Sequence, residues 1–144
     1  NIYPDREKAM KKSNISLFVV IILLVILQTS YASYYAWQNI TVKIISINEP
    51  VTYDSTRERF TVKAAFQVIK LGEGGGHSSN HGMQFLGKTR EGSILFRLEI
   101  EAKKLASGME LELKYSYSEG LGFDRETQRQ KVYRGERWDF IRFL

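Results

Sequence analysis

The chain has 144 residues, a formal net charge of +5 and no cysteine. That composition excludes thiol catalysis, iron–sulfur clusters, disulfide staples and every cysteine-based metal site. Its basic residues alternate with acids rather than gathering with aromatics, which argues against a nucleic-acid partner.

In chain order, residues 1–14 read as a polar cytoplasmic tail, with Arg6, Lys8, Lys11 and Lys12 partly offset by Asp5 and Glu7. Residues 15–37 read as a single transmembrane helix built on the apolar run Leu17–Leu27. At about 1.5 Å per residue this segment spans roughly 34 Å, against a hydrocarbon core of about 30 Å. A signal peptide is the rival, because Ser30 and Ala32 suit a cleavage site. The aromatic belt of Tyr31, Tyr34, Tyr35 and Trp37 favours a retained anchor. The positive flank predicts a cytoplasmic N-terminus and an extracytoplasmic C-terminal domain in the cell membrane. Gln28, Ser33 and Ala36 are the residues expected to pack against a partner helix, since small and polar side chains mark such contacts in lipid.

Residues 38–144 read as one β domain of roughly 105 residues, enough for a single core. Strands are expected at Ile40–Ile47, Arg59–Leu71, Ile94–Glu101, Met109–Tyr117, Gln128–Arg134 and Trp138–Phe143, with no helix. In the second, Val62, Ala64, Phe66 and Val68 share one face, as do Met109, Leu111, Leu113, Tyr115 and Tyr117 in the fourth; such period-two patterning marks antiparallel strands. Asn48–Pro50, Ala106–Gly108, Glu119–Phe123 and Gly135 supply breaks. The fold class predicted is mainly β: the N-terminal transmembrane helix followed by a small antiparallel β-sandwich of immunoglobulin-like type. A small jelly roll or open barrel is the alternative. The stretch Lys104–Tyr117 resembles the turn and following strand of many surface immunoglobulin-like modules; this implies a fold and carries no functional residue. The segment after Trp37 leaves almost no tether, so the domain is expected to pack on a neighbour.

Chemistry is sparse. His77 and His81 lie in the glycine-rich stretch Gly72–Gly82, and imidazoles are natural ligands for copper or zinc where thiols are absent. A site there would need a third ligand from elsewhere, and the glycines argue against the helix that would align the pair. The pairs Glu99/Glu101 and Glu110/Glu112 fall on wet strand faces. There is no Gly-x-Ser-x-Gly elbow. The sequon Asn39-Ile40-Thr41 sits too near the expected bilayer for use. Trp138, Phe140 and Phe143 form an apolar C-terminus, either a last core strand or, with His77 and His81, an interface.

The function expected is a non-catalytic, single-pass accessory subunit of a membrane protein complex, with no cofactor. Its partners would be other membrane subunits and the bilayer, not nucleic acid or a small-molecule substrate. The rivals are a copper- or zinc-handling module and an envelope-anchored binding module.

Overall fold

The computed structural model describes residues 14–24 and 33–144. Residues 14–24 form a helix, α1, in which every residue is exposed. Among the described residues no helix is long and apolar enough to cross a membrane. The expected 15–37 helix also ends too late, because Tyr34–Trp37 already belong to a strand. Of the three expected helix-packing residues, Gln28 lies outside the described residues and Ser33 is exposed just before that strand. Ala36 is 0% exposed, a core residue of the β domain and not part of a helix–helix contact.

The reason is visible in the first strand. β1 (Tyr34–Ile47) alternates Ala36, Gln38, Ile40, Val42 and Ile44 inward, and this alternation begins upstream of the sequence-based boundary. It is hydrogen-bonded along both edges. Residues 34–43 pair antiparallel with β5 (Glu110–Asp124), and residues 36–47 pair antiparallel with β3 (Arg59–Gly76). Register shifts at Gln38/Ile40, Thr41/Val42 and Ile44/Ser46 bend β1 across both neighbours, as bulges do at barrel corners. Two-sided ladder bonding leaves no room for a helix through Tyr34–Trp37.

β2 (Thr52–Asp54) continues along the same edge of β3. β3 pairs antiparallel with β4 (Thr89–Phe96) on its other edge. β4 in turn meets β6 (Arg129–Phe143) in parallel, with Ile94 beside Trp138. The sheet order β1-β5-β6-β4-β3, with β1 returning to β3, is a closed ring of five strands. The immunoglobulin-like sandwich is thus replaced by a closed β-barrel. Period-two alternation is common to both architectures. What decides between them is closure: β1, at one end of the strand order, also pairs with β3 at the other, so the sheet joins on itself instead of splitting into two layers. The connectivity, with a helix between the third and fourth barrel strands, is that of the five-stranded Greek-key barrel known as the OB-fold.

The strand expected at Ile94–Glu101 runs into that helix, α2 (Glu99–Lys104), at Glu99. The run from Ile94 stays strand only to Phe96, with Ile94, Leu95 and Phe96 all buried. Leu98 and Ile100, assigned inward, are 53% and 63% exposed. Ala102 and Leu105, three apart, are buried instead, as a helical turn capping the barrel demands. Glu99 meets Lys103 at 2.8 Å one turn on, acid at the N-terminus and base at the C-terminus as the dipole favours.

The interior holds Ile40, Val42, Ile44, Val62, Ala64, Phe66, Val68, Ile94, Phe96, Leu111 and Leu113. The predicted inward face of β3 is therefore confirmed in full. On β5, Leu111, Leu113 and Tyr115 are inward, while Met109 is exposed and Tyr117 half-buried. The turn expected at Glu119–Phe123 falls later, over 125–128, and β5 runs through it. Trp138 is 3% exposed and sits edge-on to Phe66 at 5.0 Å, so its ring belongs to the core and not to a surface interface. Phe140 and Phe143 are half-buried; Phe140 stacks on Phe96, and Phe143 meets Phe140 at a tilt of 53°.

The chain divides into two compact units. The barrel unit comprises Tyr34–Glu119 and Val132–Leu144; the other comprises the preceding N-terminal residues and Gly120–Lys131. In this second unit Leu121 and Phe123 are exposed on the distal part of β5.

Candidate functional site

The glycine-rich stretch is where sequence and structure differ most. It is no open loop: Gly74, Gly75 and Gly76 extend β3 and pair with Gln38, Trp37 and Ala36. Glycine is required because the Trp37 indole covers the ladder. A Cβ on Gly75 would lie 2.7 Å from Trp37 Nε1, and Gly76 adopts φ +84°, a left-handed conformation. The chain then folds back as a 3-10 turn, His81–Phe85, over one end of the barrel.

A buried amide anchors that turn. Gln38, 4% exposed, accepts from the Gly82 N–H at 2.7 Å through Oε1 and donates to the Gly72 carbonyl at 3.2 Å through Nε2. Both halves of the amide are matched, as burial demands. The Phe85 ring reaches inward from the other end of the turn and meets Tyr115 and Trp138 edge-on, at 5.0 and 5.7 Å.

Between this turn and the ends of β1, β4, β5 and β6 lies a cleft of about 470 Å³. Aromatic rings form its wall. His81 lies parallel to Tyr117 at 5.0 Å and to Tyr115 at 5.8 Å. Tyr34 stands edge-on to Tyr117 at 6.0 Å and stacks with His77 at 5.1 Å. Charged groups are set among the rings. Arg90 Nη2 binds Glu136 Oε1 at 2.8 Å, and its guanidinium lies over Phe85, 4.5 Å from the centroid. Arg90 Nε is buried with no hydrogen-bond acceptor, and the aromatic face is its compensation.

The two phenols each donate a hydrogen bond to a carboxylate. Tyr115 Oη donates to Glu136 Oε2 at 3.2 Å, and Tyr117 Oη donates to Glu119 Oε2 at 2.9 Å. Burial, followed by the Glu136 charge, pushes the Tyr115 hydroxyl well above the usual phenol range. For Tyr117 the hydrogen bond to Glu119 is the main cause of an upward shift.

The histidines are engaged locally. His77 Nδ1 lies 3.0 Å from the Tyr35 N–H and 2.9 Å from its carbonyl, and the His77 N–H donates to that carbonyl at 2.8 Å. His81 meets Tyr34 Oη at 3.3 Å through Nδ1 and the Gln84 amide at 3.3 Å through Nε2. Both rings pack on Tyr34. Among the described residues no group of three or more histidine, cysteine or acidic side chains is placed to hold a metal ion. The structure thus brings His77 and His81 together around one tyrosine, with no third ligand.

Sequence reading named His81 but missed Tyr115, Tyr117, Arg90, Glu119 and Glu136. One signal was available. Two tyrosines on the inward face of one strand each need a hydrogen-bond partner for the hydroxyl, and that points to polar groups at a barrel end. Comparison with protein-family models, curated proteins and solved structures found no match.

Proposed function

We propose that this chain is a non-catalytic accessory subunit of a membrane-associated complex, with its β-barrel as the partner- or ligand-facing module. The single observation that carries this reading is helix α1. All of its large apolar side chains lie open to solvent, from 42% exposed at Ile22 to 64% at Ile15 and Phe18. A helix apolar on every side belongs in lipid or in a protein interior, not in water. The apolar sequence continues through Leu27, and the basic flank sets the N-terminus on the cytoplasmic side with the barrel outside. The non-catalytic part rests on the cleft, where the phenols donate to carboxylates that are themselves paired with Arg90 and Arg134. The OB-fold connectivity by itself assigns no activity, because that barrel serves many functions.

The test is extraction of the full chain from native membranes, compared with Leu23→Lys. A charge at the centre of a lipid-embedded helix costs about 2.5–3.5 kcal/mol. The wild-type chain should stay with the membrane at high salt and come off in gentle detergent with stoichiometric partners, as native mass spectrometry would show. The Leu23→Lys chain should move substantially to the soluble fraction. A wild-type chain freed by salt, or one solubilised as a lone monomer of 16.7 kDa, would overturn the reading.

A further inference from the structure

The distal arm of the β5–β6 hairpin carries a second exposed apolar surface, after that of α1. Gly120–Lys131 falls in the compact unit that contains the N-terminal residues, not in the barrel unit. The arm is well built. Its turn, residues 125–128, is fixed by Asp124, whose Oδ1 accepts from the Glu126 N–H at 2.9 Å, and by Gln128 at φ +52°. Asp124 and Arg129 end the two neighbouring strands across that turn, so Phe123 stands opposite Gln130 and Gly122 opposite Lys131.

Strand alternation gives the arm two unlike faces. Leu121 and Phe123 share one face and are 38% and 63% exposed. Gly120, Gly122 and Asp124 share the other with Arg129 and Lys131, and the two glycines leave it without apolar side chains. An apolar pair backed by arginine and lysine suits a headgroup boundary, with carbon on the acyl side and cations among the phosphates.

The reach fits as well. Tyr34, which opens β1, is the register partner of Glu119, where the arm begins. The stretch from Leu27, the end of the apolar run, to Tyr34 spans at most about 25 Å even when fully extended. At about 3.4 Å per residue, Gly120–Asp124 is an arm of roughly 17 Å. Two side chains are too few to bind a bilayer from solution. In a chain already anchored their insertion is intramolecular, at the effective concentration that the short tether sets.

We infer that the hairpin arm docks on the lipid bilayer, with Leu121 and Phe123 at the headgroup–acyl boundary and Arg129 and Lys131 toward the phosphates. The inference rests on the membrane reading of α1 and adds a second contact to it.

The native chain has no cysteine, so one introduced thiol carries a polarity-sensitive fluorophore at a known place. Full chains with Thr127→Cys, Val20→Cys or Tyr53→Cys are reconstituted in vesicles of phosphatidylcholine and phosphatidylglycerol, with and without lipids bearing nitroxides along their acyl chains. Thr127 lies in the turn, Val20 in α1 and Tyr53 on β2. Nitroxide quenching is expected at the Thr127 and Val20 sites and not at the Tyr53 site. Leu121→Ser combined with Phe123→Ser, both at exposed positions, should abolish quenching at the Thr127 site and leave it at the Val20 site. Quenching at the Val20 site alone would overturn the inference while the membrane reading stands. No quenching at the Val20 site would defeat that reading, and the inference with it. Unchanged quenching at the Thr127 site in the double serine variant would show that the apolar pair is not the anchor, which also overturns it. A blue shift there without nitroxide quenching would assign the face to a second copy of the chain, and no longer to lipid.

Discussion

Gln38 and Tyr115 show how two side chains hold the cleft open while the core stays closed. Gln38 is the one buried polar side chain among the described residues, and it spans from β1 to both ends of the segment that folds over the barrel. Replacing it with leucine would leave the Gly82 N–H and the Gly72 carbonyl without partners. Gly82 is buried, so the loss of its partner costs about 1–3 kcal/mol, whereas the exposed Gly72 can turn to water. Gln38→Leu should therefore lower the urea midpoint and speed amide exchange at Gly82 before the barrel core is affected. Equal exchange at Gly82 in both proteins would show that the turn is held by Phe85 alone. Tyr115 makes a pH prediction. Its folded-state pKa lies above that of an unfolded tyrosine, about 10. Below pH 10 both states are protonated and its contribution is fully present. Above pH 10 the unfolded chain ionises first, so stability falls as pH rises toward the folded value. Tyr115→Phe should flatten that alkaline loss while costing about 1 kcal/mol at neutral pH through the bond to Glu136. Parallel alkaline stability curves for the two proteins would refute the assignment.

Among the elements, β1 carries most of the architecture. Because it is bonded on both edges, its central amides can open only when the barrel opens. β2, by contrast, has three residues and one partner strand. Native-state hydrogen exchange should thus place Ile40 and Val42 at the global unfolding free energy, with Thr52–Asp54 exchanging through local fraying. Exchange at Ile40 as fast as at Tyr53 would mean that the β1–β3 seam opens on its own and that the barrel is an open sheet. α2 teaches a different lesson. Its sequence alternates like a strand, yet its ion pair and its Ala102/Leu105 spacing follow the helical period. A six-residue element offers too few repeats for periodicity to discriminate between the two. The glycine run gives the reverse case. Consecutive glycines resemble a loop by composition, and the Trp37 indole makes them a strand, because only a backbone without Cβ fits beneath it.

At the scale of the whole molecule, an exposed apolar helix and a closed, well-filled barrel answer to different solvents. The barrel buries its own apolar faces. α1 leaves its apolar side chains open, and the extraction experiment asks what covers them. Retention lost on Leu23→Lys would locate the membrane affinity in that segment. Retention unchanged by Leu23→Lys would move it to other surfaces, such as the exposed Leu121 and Phe123.

The sequence by itself determined that the chain is mainly β, that β3 turns Val62, Ala64, Phe66 and Val68 inward, and that a long apolar stretch precedes the barrel. Each of these is a local property: strand alternation and hydropathy are written in neighbouring residues. Only the tertiary structure decided that the strands close into a barrel rather than stack as a sandwich. It also decided that Ala36 and Trp138 are core, and that Tyr34, His81, Arg90, Tyr115, Tyr117, Glu119 and Glu136 share one cleft. Those facts depend on which strand meets which across long sequence separations. Periodicity within a strand states which face is apolar and leaves its partner open.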